Sequence, residues 1–197
     1  MMASTRENKT ISNFKAALIG GGARPNLFEV ELTTLPAGIS WDADNFRYMC
    51  KAAQLPASTI AQIDVPFRGR IFKVAGDRTI DQWSVTIIND ENFKLRNAFE
   101  AWMELIAKLE NNLGATDPTA YMTNAKVYQL GRGSSPNSAT NAGEANTVLK
   151  EYEFIDIFPT SVSAIDLSYD SSDAIEEFTV DFQVNSFSLT GAGGPNG

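Results

Sequence analysis

The chain has 197 residues, 43% of them apolar, 10% aromatic and 20% charged, the balance of one globular domain large enough to bury its own core. Its single cysteine, Cys50, excludes a disulfide framework, and the absence of histidine removes the commonest metal ligand and general base, so Ser-His-Asp and Cys-His catalysis are excluded. The net charge of −8 is unevenly placed: residues 1–100 hold 12 Lys/Arg against 11 Asp/Glu, residues 101–197 hold 4 against 13, and from Glu151 onward nine acids meet no basic residue, a surface that repels nucleic acid.

Residues 1–22 read as an N-terminal arm with a short helix over Ile11–Ile19. Charges run through it and its apolar centre, Ala16–Ile19, is too short for a signal peptide. Gly20-Gly21-Gly22 reads as a hinge: Pro25 stands where a dinucleotide fingerprint needs glycine, and no Lys-Ser or Lys-Thr pair follows. Phe28, Val30 and Leu32 alternate with Glu29 and Glu31, predicting a strand with one wet face. Weaker strands are expected at Phe46–Lys51, Ile60–Val65 and Arg70–Val74. Trp83, Val85 and Ile87 mark another strand.

Leu95, Phe99, Trp102, Ile106 and Leu109 form one apolar stripe, predicting a helix from about 90 to 112. Asn89 or Asp90 can cap its start, and Gly114 lies near its end. A strand follows at Ala125–Leu130, then Gly131–Asn146, rich in Gly, Ser, Asn and Ala, which reads as a flexible insertion spanning 131–147. In Val148–Phe158 the apolar positions change phase, from Val148, Tyr152 and Phe154 to Ile155 and Ile157, predicting a bulge near Phe154. Ile165, Leu167 and Tyr169 alternate as a strand, and Phe178, Val180, Phe182 and Val184 do so most clearly. Residues 189–197 read as a flexible tail. Antiparallel strands covered by one flanking helix predict a mainly β, α+β domain over residues 23–188. No apolar run reaches the length of a membrane span.

Candidate chemistry is sparse. Only carboxylates remain for a metal, and Asp166, Asp170 and Asp173 lack calcium-loop spacing, so they read as a turn. No catalytic, cofactor-binding or metal-binding residue is assigned. A carboxylate-pair enzyme acting on carbohydrate and a monomeric β-sandwich binding module both stay open. The most basic stretch, Phe67-Arg68-Gly69-Arg70 with Lys73 and Arg78, reads as a protein interface, since the C-terminal half supplies an acidic complement.

Seven strings fall in one order: Ala23-Arg24-Pro25-Asn26, Lys51–Pro56, Val65-Pro66-Phe67, Val74–Thr79 with Trp83, Ile88–Glu91, Phe158-Pro159-Thr160 and Ile175–Phe182. In this the chain, from about Ala23 to Phe187, resembles the tail tube proteins of T4-type contractile-tailed bacteriophages. The resemblance implies an antiparallel β-sandwich or barrel-like tail-tube fold and a structural subunit, not an enzyme. It implies hexameric rings stacked head to tail into a conduit for DNA ejection, in a virion tail assembled in the host cytoplasm. The implied partners are other copies of the chain, the tail sheath protein, a tape-measure protein, and baseplate and tail terminator proteins, with DNA passing through without specific binding and no membrane insertion. The tube of a related injection or secretion machine remains the alternative. On this reading Arg68, Arg70, Lys73, Asp77 and Arg78 are candidates for contacts between rings or subunits, and Glu177, Asp181, Glu151 and Glu153 for acids facing the lumen.

Overall fold

The computed structural model describes residues 10–18, 21–132, 148–170 and 173–190. Most of the expected 131–147 insertion and the tail beyond Thr190 lie outside these residues. Helix α1 (Ile11–Ala17) precedes strand β1 (Phe28–Glu31), helix α2 (Ala43–Met49) and strand β2 (Cys50–Ala53). Strands β3 (Ser58–Phe67), β4 (Arg70–Ile80) and β5 (Trp83–Ile88) lead to helix α3 (Lys94–Ile106). A 3-10 turn at Pro118–Ala120 is followed by β6 (Thr123–Leu130), β7 (Val148–Val162) and β8 (Glu177–Thr190).

Six strands form one antiparallel sheet in the order β1-β6-β7-β8-β5-β2, and its two ends, β1 and β2, approach each other so that the sheet nearly closes into a barrel. Alternation in the sequence produces the inner wall. Val30, Trp83, Val85, Ile87, Ala125, Val127, Phe178, Val180, Phe182 and Val184 are all buried, and each is flanked along its strand by a more exposed neighbour. Trp83 stacks on Phe154 with ring centroids 4.5 Å apart, and Phe99 of α3 meets Phe178 and Phe182 edge-on. Each of the three indoles donates to a backbone carbonyl: Trp41 to Leu32 at 2.7 Å, Trp83 to Gln54 at 2.9 Å and Trp102 to Tyr121 at 2.7 Å. Large aromatic bodies are thereby buried without stranding their polar edge.

The bulge expected near Phe154 falls at Asp156, which takes a left-handed conformation (φ 55°). Opposite β6 the register jumps from Ala125↔Phe154 to Thr123↔Ile157, so Phe154 and Ile157 both point into the core. Asn124 on β6 accepts the Asp156 N–H at 3.1 Å, and Asn185 on β8 donates to the Asp156 carbonyl at 3.1 Å. The extra residue is thus fastened from both neighbouring strands.

Several expectations are corrected. The strand expected at Phe46–Lys51 is largely helix α2, because Asp42 caps it by accepting the Asn45 N–H at 3.0 Å, and the chain turns extended only at Cys50. Helix α3 is shorter than the 90–112 stripe. Asp90 Oδ1 accepts the Lys94 N–H at 3.1 Å, while Asn89 instead binds Glu176 beside β8. At the other end Ala115 N–H reaches back to the Leu105 carbonyl at 3.0 Å, and a Cβ on Gly114 would lie 1.9 Å from the Ile106 carbonyl oxygen, so only glycine permits this fold-back. Leu109 is consequently 96% exposed. The alternating stretch at Ile165–Tyr169 forms no strand; β7 has ended at Val162, and Leu167 and Tyr169 face solvent. Of the three α-helices described, α1 falls within the expected Ile11–Ile19, α2 was not expected, and α3 is the flanking helix that covers the sheet with Leu95, Ala98, Phe99 and Trp102.

Candidate functional site

Strands β3 and β4 pair only with each other and project as a two-stranded ribbon. Arg68 and Gly69 close it with positive φ at both central positions (47° and 81°), the two-residue turn that matches strand twist. At its base the Asp81 N–H donates to the Ala57 carbonyl at 3.1 Å. Register and alternation sort the side chains. Ile63, Val65 and Phe67 stand opposite Val74, Phe72 and Arg70 on one face, while Asp64, Pro66 and Gln62 stand opposite Lys73, Ile71 and Ala75 on the other. The first face is apolar yet open: Phe67 is 65% exposed, Phe72 66% and Ile63 53%. Such a face marks an interaction surface.

The basic residues proposed for contacts sit on this ribbon in different settings. Arg68, in the turn, lies over the Phe67 ring at 5.5 Å, and Arg70 stands across from Phe67. Lys73 is paired with Asp64 at 3.1 Å on the polar face. Asp77 belongs to a bulge in which Gly76 and Asp77 face Ala61 alone, and Arg78 stands opposite Ile60 beyond it. The sequence reading found the cations but missed the apolar face. The signal was the alternation of Ile63, Val65 and Phe67 without a second apolar layer to cover it.

The four acids fall into two separate patches on the wet face of the sheet. Glu151 and Glu153 lie on the first half of β7, where Glu151 pairs with Lys126 at 2.9 Å and Glu153 stands opposite Lys126 in register. Glu177 and Asp181 lie on the first half of β8, the far end of the β7–β8 pair, whose register runs from Glu151↔Thr190 to Val162↔Val180. Glu177 pairs with Lys51 of β2, and Asp181 accepts the Ser84 hydroxyl. Beside the first patch, Tyr128 donates to Glu31 at 2.8 Å. Burial, then this hydrogen bond and the surrounding carboxylates, raises the Tyr128 pKa well above its ordinary value. The bond to Glu151, reinforced by Glu153 and Glu31, raises that of Lys126. Burial pushes the Cys50 thiol up to about 12, so little of it is thiolate near neutral pH. Among the described residues no three metal-ligating side chains cluster, and no helix is long and apolar enough to cross a membrane.

A family model described as phage tail tube protein matches residues 23–190. The tail tube protein gp19 of Enterobacteria phage T4 is 38% identical over 161 residues, covering 82% of this chain and 88% of that protein. The tail tube protein of Serratia phage KSP90 is 24% identical over 178 residues, 88% of this chain and 93% of that protein. Among solved structures, a chain in the cryo-EM structure of the anti-feeding prophage baseplate superposes with a TM-score of 0.60 at 12% identity, covering 86% of this chain and 96% of that one, a likeness of fold.

Proposed function

This chain belongs to the phage tail tube protein family, and from that premise we propose that its copies close into hexameric rings, which stack head to tail into the hollow inner tube of a contractile tail. It is a structural subunit of the virion tail and not an enzyme. The observation that carries the assembly reading is the β3–β4 ribbon, whose apolar face is left bare by a single copy. A second support is the outer edge of β8 beyond Phe182, where the pairing with β5 ends. Free edges are completed by strand addition from an equivalent copy. Four strands from each of six copies would give about 24; at about 4.8 Å spacing and about 40° tilt the ring would be roughly 48 Å across, an open channel.

In this tube DNA passes without being held. Lys or Arg repeated on the wall of every ring would trap it by displacing its counterions. An acidic wall built from Glu177 and Asp181, or from Glu151 and Glu153, avoids this. The outer partners on this reading are the sheath, baseplate and terminator proteins, and a tape-measure protein fills the lumen before DNA.

Stacking joins two different surfaces of the same molecule. We place the ribbon, with Arg70 and Arg78, against acids of the neighbouring ring. Charge reversal at both positions (Arg70→Glu, Arg78→Glu) should halt growth at single rings in electron micrographs of purified protein. Tubes of ordinary length from that variant would refute this placement.

A further inference from the structure

Two apolar surfaces remain outside the ribbon and the sheet edges, and they complement each other. The first is the stripe on α1. Ile11, Phe14 and Leu18 recur at helical spacing and are 74%, 63% and 45% exposed, and no residue of α1 is buried. A seven-residue helix held by one Thr10 cap is too short to be stable in water without a surface to lie on. The second is a groove of about 880 Å³ between α3 and the far half of β7, lined by Met103, Ile106, Leu109, Phe158, Pro159 and Val162.

Charge agrees with shape. Lys15 is the one charged side chain of α1, and residues 1–24 carry Arg6, Lys9, Lys15 and Arg24 against Glu7 alone. On the groove's rim Glu100 is taken up by Arg96 at 2.8 Å, so the carboxylate of Glu104 gives the rim its remaining charge. The slot between a helix and a strand takes a single row of side chains, as α1 offers, whereas the ribbon presents a flat face. In the single chain the stripe is exposed while the groove stands open, so the chain does not make this contact with itself. Gly21 and Gly22, with φ of 77° and 84°, supply the turn through which the arm leaves the body.

We propose that the α1 arm of one copy docks in the α3–β7 groove of a neighbouring copy, with Phe14 among Met103, Ile106 and Val162 and Lys15 beside Glu104. Each copy gives one arm and receives one, so the contact propagates around or along the assembly. This rests on the assembly reading above, and the test separates the two.

Two full-length variants, Phe14→Cys in one tagged chain and Met103→Cys in another of different size, are mixed, assembled and oxidised. The native thiol, Cys50, is half-buried and its pKa is raised, so it competes poorly. The expected result, for an equal mixture in which about half of the arms meet a groove carrying the second thiol, is a disulfide joining the two differently sized chains in up to roughly half of the assembled subunits. Lys15→Glu should lower its yield several-fold, and adding Glu104→Lys in the receiving chain should restore it. Assembled tubes with no disulfide between the two differently sized chains overturn the proposal. Unmodified protein that forms neither rings nor tubes contradicts the assembly reading instead, and is seen before any cysteine is read.

Discussion

At the scale of single residues, the most exacting contacts surround the β7 bulge. Asn124 and Asn185 hold the two backbone groups of Asp156, whose left-handed conformation an ordinary strand would not adopt. Asn185→Ala should cost about 1 kcal/mol, the worth of one hydrogen bond. For a domain of this size that is a melting-temperature loss of roughly 2–4 °C by calorimetry. Trp83→Ala, which empties the stack on Phe154 and Phe182, should cost about 3–5 kcal/mol. The Tyr128–Lys126 corner gives a pH signature. Both groups hold their protons more tightly when folded, so their contribution is complete below about pH 10 and is lost as pH rises through the folded values. Tyr128→Phe should therefore flatten part of the alkaline fall in stability measured by denaturant titration between pH 9 and pH 12. An unchanged profile would place the loss elsewhere.

At the scale of elements, the sequence shows its strands wherever one face is buried and the other wet. Phe178, Val180, Phe182 and Val184 alternate over a whole strand, and their burial follows that pattern. The β7 phase change was legible for the same reason, since a bulge moves apolar residues to the opposite parity. Alternation misleads where no partner strand exists, as at Ile165–Tyr169, and local capping overrides it at Asp42. The ribbon's cations were readable as a charge cluster, but its apolar face was not. Whether alternating Ile63, Val65 and Phe67 meet a core or solvent depends on where the chain carries them. That face yields its own prediction. Phe67→Ser with Phe72→Ser removes exposed side chains only, so the melting temperature should stay within a few degrees, while sedimentation should show assembly lost. A variant that assembles normally would show that the face contributes nothing to the tube.

At the scale of the whole molecule, the sheet nearly closes on itself yet leaves a bare ribbon, a free edge along β8 and a separated pair of acidic patches. In the assembly proposed above, these would be the surfaces that close a ring, stack it and face the channel. If Glu177 and Asp181 line that channel, virions carrying Glu177→Lys and Asp181→Lys should eject DNA more slowly, and added salt should relieve the delay. Ejection unchanged at low salt would move the lumen to the other end of the sheet's wet face, with Glu151 and Glu153 the next candidates. Beneath all of this lies the claim that a single copy is incomplete. Negative-stain electron microscopy of the purified full-length chain over a range of concentration and salt tests it most directly. Sixfold rings and stacked hollow tubes are the predicted result; solitary particles under every condition would contradict it.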